Sequence, residues 1–501
     1  MMSKINHLKS IRKVKMFRIL TAIILLIFTT GCLLRAHYRR PEICVPSDWR
    51  SNADDVSTIA NVDWWQQFDD PVLDQLIQTA LENNNDLGIA VGRVYEYAAL
   101  SGIARSYQFP EISGTAAASR QEFPFDVPAI FPTNSRIYNL FTTLLNLTFY
   151  VDIWGKVQNQ VDAAAAELVA TVEARRSAVL TVVSQVAATY VLLRQYDKQL
   201  EIAINTYHSR QYSYEIFKLR YEGGINSELE PKQAEAEALD ALVQVKRLEA
   251  LIPTTENALS ILLGLNPGPI ERGLLLENFR LPPQVPAGLP SDLLEQRPDI
   301  IQAENELIAT NSRVAEAKAN FFPQINLTGN YGNQSRSLKN LFTSGSRTWL
   351  IGADVFQQIF NAGRISYELN IADARRMQAL YSYYSLIQKA FKQVNDALVQ
   401  HEISVQLMKI LEKEVQVLKT YLYLATLQYE NGQTDYLNVL DAERKLFNAQ
   451  LELVQTQADT FNSLISLYAA VGGGWVVQSD NEVLRAMPDL HELRDYNLLE
   501  K

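Results

Sequence analysis

The chain has 501 residues, 47% hydrophobic and 20% charged, with a formal net charge of −10. Such a length buries a large core and more than one domain, while the acidic balance, with no Lys/Arg run beyond the N-terminus, excludes a nucleic-acid partner. A mean hydropathy of −0.10 excludes a bundle of transmembrane helices. The least polar long stretch, 177–193, carries Ser177, Thr181, Ser184, Gln185 and Thr189, so it reads as the buried face of a long helix.

At the N-terminus, Lys4, Lys9, Arg12, Lys13, Lys15 and Arg18 precede an apolar run from Ile19 to Phe28. That is the basic region and short hydrophobic region of a signal peptide, starting at Met1, Met2 or Met16, and too short to stay in a bilayer. The run ends "FTTGC", which resembles a bacterial lipobox with Thr29 where Leu is usual. Cys32 is therefore expected as the acylated first residue of the mature chain; the competing reading is an ordinary signal peptide with an incidental cysteine. The one other cysteine is Cys44, so there is no disulfide framework, and pairing of the two is left open.

Two halves then repeat one plan. "QFPEIS" at 108–113 matches "FFPQIN" at 321–326, "SQVAATYVLL" at 184–193 matches "KQVNDALVQH" at 392–401, and "RYEGGINSEL" at 220–229 matches "QYENGQTDYL" at 428–437. The first half reads as a helix to about 108, a strand at 112–122, a variable loop, and a strand from about 137 to 152. Phe141, Thr143, Leu145, Leu147, Phe149 and Val151 alternate there with Thr142, Asn146, Thr148 and Asp152. A helix follows from about 156 to 221, roughly 100 Å long at 1.5 Å per residue, with apolar residues at four-three spacing. Gly223-Gly224 break it, and Pro231 suits the first turn of a return helix to about 263. In the second half the strands fall near 324–336 and 347–358 and the long helix at about 364–429. Its turn is Asn431-Gly432, and the last helix stops at "VGGGW", 471–475.

The expected division is a signal peptide at 1–31, an acylated extended segment at 32–61, a first repeat at 62–266, a Pro/Gly-rich linker at 267–290, a second repeat at 291–475 and a tail at 476–501. Each half sends a helix into an aromatic and a proline, Phe109-Pro110 and Phe321-Phe322-Pro323, and then into a strand with one apolar face. Aromatics favour the membrane interface and proline ends the helix. The strand then presents one face to lipid and one to a wet lumen, although a soluble sandwich strand alternates identically. Four strands cannot pair both sheet edges within one chain, and unpaired edges are prohibitive in lipid, so several copies close the barrel together.

The chain resembles the outer-membrane factors, the lipoprotein branch of TolC-like and OprM-like efflux channels. The resemblance is carried by "GCLLRAHYRRPE" at the mature start, "WWQQFDDPVLDQLIQTALENNNDL" at 64–87 and "LLEQRPDIIQAENELIATNSRVAEAKANFFPQINLTG" at 293–329. "QYENGQTDYLNVLDAERKLFNAQ" at 428–450 and "YAAVGGGW" at 468–475 complete it. It implies an α+β fold: a homotrimer with four strands per chain in a shared twelve-stranded barrel, continuing into a long periplasmic helical barrel. It also implies a passive duct for small molecules in a tripartite pump, with a periplasmic adaptor (membrane fusion) protein and an inner-membrane transporter, seated in outer-membrane lipid.

Matching turn to turn, the resemblance puts Tyr429 at the periplasmic gate, with Glu230 as its acidic partner in the other half. Thr434, neutral, stands where TolC-like members carry arginine. Asp441 takes one position of an acidic ring, and Asn438 replaces a second Asp. The residues alone leave Asp441 open between a ring carboxylate and a helix residue paired with Lys445 four positions on, and Tyr429 open between gate and seam packing. An enzyme reading has little to stand on. The histidines (His7, His37, His208, His401, His491) share no metal-ligand spacing, and neither a nucleophile elbow nor a phosphate loop occurs, so no cofactor and no metal are expected. The competing functions are a protein-secretion duct and a lipid-anchored helical scaffold or adhesin.

Overall fold

A computed structural model describes residues 35–43, 45–46, 49, 64–122, 137–280 and 293–472. The signal peptide, Cys32, Cys44, the first inter-strand loop and the C-terminal tail lie outside the described residues. The elements in order are α1 (Pro71–Asn83), α2 (Asn85–Ser106), β1 (Glu111–Glu122), β2 (Ile137–Val151), α3 (Lys156–Glu222), α4 (Leu229–Leu262), α5 (Pro298–Ala319), β3 (Gln324–Ser335), β4 (Arg347–Phe356), α6 (Arg364–Glu430) and α7 (Tyr436–Val471). Helix, two strands, a long helix and a return helix thus occur twice, and α3 and α6 both run 67 residues.

Both long helices stop in the same way. Ile225 N donates to Arg220 O and Gly224 N to Tyr221 O, each at 2.9 Å; Gln433 N to Gln428 O and Gly432 N to Tyr429 O repeat this at 2.9 Å. These are Schellman closures. The residue after each helix must be left-handed, at φ 71 for Gly224 and 69 for Gly432, which only glycine adopts at little cost.

The chain divides into two compact units. The first holds the described residues within Glu96–Leu168 and Asn305–Tyr381, with residues 35–41. Its centre is one antiparallel sheet in the order β1-β2-β3-β4. Below the sheet, Arg313 on α5 reaches Glu167 on α3 at 2.7 Å and Gln160 reaches Glu316 at 2.7 Å.

The second unit holds the described residues within Glu42–Tyr95, Val169–Glu304 and 382–472. Asp70 caps α1, accepting from Val72 N at 2.9 Å with Pro71 in the first turn. The apolar stretch of α3 lies in the core as expected: Val183, Val186, Ala187, Tyr190 and Val191 are all fully buried. Trp64 stacks on Tyr468 at 5.3 Å, and Phe68 meets Phe461 edge-on at 5.4 Å. The "WWQQF" motif is therefore an aromatic plug between helices, the arrangement aromatic quadrupoles favour. The return helix expected to about 263 is α4, and it continues through Pro253. The Oγ1 atoms of Thr254 and Thr255 both donate to Leu251 O, at 2.8 and 2.9 Å, adding side-chain bonds to the turn around the proline, whose missing N–H would have gone to Glu249 O.

Candidate functional site

Two places carry the chemistry expected from the sequence, the sheet in the first unit and the hairpin turns in the second. In the sheet, register decides which side chains share a face. Ile112, Leu147, Gly329 and Ile351 form one row across the four strands, and Gly114, Leu145, Tyr331 and Trp349 form the next row on the same face. Phe149, Leu327 and Ala353 continue it. This face is apolar and bare: Trp349 is 68% and Ile351 83% exposed, far more than a soluble protein leaves in one patch. The opposite face carries Ser113, Asn146 and Asn330, then Glu111, Thr148 and Thr328. Asn146 Nδ2 donates to Thr115 Oγ1 at 2.9 Å across it. Both outer edges, β1 and β4, lack a strand partner among the described residues.

The helix–strand junctions sit where expected. Phe109 is exposed after α2, and Phe321 and Phe322 are partly exposed after α5. Pro323 plays a part the sequence did not reveal. Its carbonyl accepts from Trp154 Nε1 at 2.8 Å, and the Trp154 ring stacks on Phe322 at 4.8 Å. A lone Trp directly after an alternating strand, in "DIWGK", was the signal available.

At the turns, four helix ends converge on one apolar cluster. Phe217 of α3, Ala234 of α4, Ala425 of α6 and Tyr436, Val439 and Leu440 of α7 are buried together, with Tyr429 packed against them. Tyr429 lies 5.4 Å from the Tyr436 ring and 6.1 Å from Phe217, which in turn meets Tyr436 at 4.2 Å. The Tyr429 hydroxyl accepts from Arg220 Nη1 at 3.2 Å. Glu230 accepts from Asn226 within its own turn, yet stands close enough to Tyr429 to act on it. Burial first, and then the Glu230 charge, push the Tyr429 phenol above its ordinary range, with Arg220 opposing. Thr434 accepts from Asn438 Nδ2 inside the second turn. Asp441 accepts from Lys445 Nζ at 2.7 Å and lies 3.3 Å from both Arg444 Nη2 and Tyr421 Oη. The Lys445 hydrogen bond holds its carboxyl below the usual range. The helical pair weighed for Asp441 is thus present within one chain. Sequence reasoning missed Arg220, because nothing local marks which residue a tyrosine on another helix will meet.

The family model described as outer membrane efflux protein matches residues 76–265 and 289–473. Among curated relatives, the solvent efflux pump outer membrane protein SrpC of Pseudomonas putida is 35% identical over 464 residues, 91% of this chain and 98% of its own. The cation efflux system protein CusC of Escherichia coli is 32% identical over 451 residues, 89% of this chain and 96% of its own. Among solved structures, the CmeC outer membrane channel of Campylobacter jejuni superposes with a TM-score of 0.84 at 26% identity, covering 90% of this chain and 98% of that one. The MtrE outer membrane channel of Neisseria gonorrhoeae, in its open state, gives 0.80 at 29% identity, covering 89% and 99%.

Proposed function

The chain belongs to the outer membrane efflux protein family, and on that premise we propose that its copies join edge to edge, β4 of one beside β1 of the next, into a closed transmembrane barrel. It is a TolC-like outer-membrane channel protein of an efflux pump, seated in the outer membrane and extending into the periplasm. The observation that carries the barrel reading is the four-stranded sheet with one bare apolar face and two open edges. Open edges are excluded in a bilayer because no water satisfies their N–H and C=O groups. Two copies would give about eight strands, a barrel its own side chains fill. Three copies give about twelve and leave a lumen, the homotrimer that the resemblance implies.

The polar face then lines the wet path. It carries mostly hydroxyl and amide groups with few charges, such as Glu111 and Asp354, so it discriminates weakly. Selection falls to the partners, an inner-membrane transporter and a periplasmic adaptor, and the cargo is small: the relatives are named for solvents and cations. Cys32 supplies a lipid anchor beside the barrel. The turns of α3–α4 and α6–α7 form the periplasmic gate, with Tyr429, Arg220 and Glu230 holding it and Asn438, Thr434 and three copies of Asp441 around the axis.

Purified protein added to a planar lipid bilayer tests this. Stepwise channel insertion is expected, with larger steps for Tyr429→Ala/Glu230→Ala. Absence of any step would contradict the duct, and equal steps would remove the two residues from the gate.

A further inference from the structure

Behind the turns lies a buried arginine that is only half used. Arg210 of α3 is 2% exposed. Its Nη1 makes every polar contact it has: Glu237 O at 2.9 Å, Glu237 Oε2 at 3.1 Å and Asp240 Oδ2 at 3.7 Å, all on α4. Its guanidinium carbon sits 5.3 Å over the Phe447 ring of α7. Nε and Nη2 are buried without a hydrogen-bond partner, and so is Oε2 of Glu443 on α7. Arg210 and Glu443 line the same cavity, about 470 Å³, between α3, α6 and α7.

A guanidinium has five donors in a fixed fork, and stranding three of them, one on Nε and two on Nη2, in the interior opposes the arrangement. A stranded carboxylate oxygen facing the same space opposes it again. An arrangement in which Nε and Nη2 meet the Glu443 carboxylate as a two-pronged pair satisfies all three atoms. We propose that Arg210 is a positioning residue for the gate: it grips α4 in the state described here and exchanges that grip for Glu443 of α7 when the turns separate.

Placement couples this exchange to the gate. Arg210 and Phe217 are about two helical turns apart on α3, and so are Tyr436 and Glu443 on α7, so each pair shares a face. Phe217 and Tyr436 pack on Tyr429. The Tyr436 hydroxyl lies beside Ser213 and feels the charges of Glu443 and Arg210. The charged groups on the site are Glu237 and Asp240 from α4, Glu443 from α7 and Lys419 from α6; Lys198, Glu201 and Glu277 at the far end pair with one another. Burial raises the Glu443 carboxyl above its ordinary range, Arg210 lowers it and Glu237 raises it. Protonation therefore favours the α4 grip and ionisation the exchange. Two packings of a buried charge with different partners make a bistable element.

The proposal rests on the turns being a gate, so the test carries its own reference. Single-channel conductance of the full-length protein in planar bilayers is compared for wild type, Tyr429→Ala/Glu230→Ala, Glu237→Gln/Asp240→Asn, and the last with Glu443→Gln added. Loss of the α4 grip should raise conductance several-fold, and Glu443→Gln should cancel that rise. A merely structural Arg210 site would make the Glu443 change additive. A rise that survives Glu443→Gln, or no rise while Tyr429→Ala/Glu230→Ala opens the channel, overturns the exchange and leaves the gate standing. No rise in either overturns both. If Glu237→Gln/Asp240→Asn fails to assemble, Glu443→Gln in the Tyr429→Ala/Glu230→Ala background must lower conductance, and an unchanged value overturns the proposal.

Discussion

Arg220 Nη1 donates to Tyr429 Oη at 3.2 Å, joining the last turn of α3 to the last turn of α6. The two residues are 209 positions apart in sequence and occupy corresponding ends of the two long helices. Besides that hydrogen bond, Tyr429 packs against Phe217 and Tyr436. Tyr429→Phe keeps the packing and loses only the hydroxyl, so it should raise channel conductance less than Tyr429→Ala. Equal conductance for the two would mean that the ring contacts hold nothing.

A second link of this kind is buried. Tyr190 Oη donates to Asp70 Oδ2 at 2.9 Å while accepting from Gly273 N at 2.9 Å, and Asp70 Oδ2 also lies 3.2 Å from Leu274 N. Tyr190→Phe leaves Gly273 N without its acceptor and should cost about 1–3 kcal/mol of stability. Asp70→Ala strands the donors of Tyr190, Leu274 and Val72 and should cost more. Denaturant titration in detergent measures both, and the reverse order would contradict this bonding pattern.

In the sheet, a Cβ added at Gly332 would sit 2.0 Å from Thr143 O and 2.9 Å from Leu144 Cα. At Gly329 the nearest atom is Leu350 O at 3.7 Å. Gly332→Ala should therefore abolish or sharply reduce the folded protein recovered from outer membranes, while Gly329→Ala is recovered like wild type. Equal recovery would contradict the β2–β3 register.

His401 Nδ1 lies 3.0 Å from Ser463 Oγ between α6 and α7. Burial lowers its pKa, with a hydrogen bond from the imidazole to the Thr460 backbone carbonyl opposing. The folded value thus lies below the unfolded value of about 6.5, and the unfolded chain takes the proton first. The stability from neutral His401 is complete above about 6.5 and is lost as pH falls toward the folded value. Melting temperature followed from neutral to mildly acid pH should fall less steeply for His401→Gln than for wild type. Parallel curves would exclude His401 as the source.

Much of this was legible in the sequence. Gly223-Gly224 and Asn431-Gly432 gave the ends of α3 and α6 to within a residue or two, because a Schellman closure demands a left-handed residue at that point. Alternation in 141–151 gave the two faces of β2, since period two leaves no other choice. What stayed hidden lies between elements. Trp154 with Pro323, Arg220 with Tyr429, and Arg210 over Phe447 each join helices or strands far apart in sequence, and helix packing alone fixes which atoms meet. The partner expected for Tyr429 was Glu230, taken from position in the turn; its hydrogen bond goes to a residue on the preceding helix, one turn further back.

The central claim is that the open edges β1 and β4 are closed by other copies of the chain in the membrane. The most direct measurement is the mass of the detergent-extracted protein by light scattering, repeated on Cys32→Ser. A trimer that needs detergent in both forms is predicted, because the barrel and not the anchor holds the chain in lipid. A monomer, or an oligomer that stays soluble without detergent once Cys32 is gone, would contradict the account.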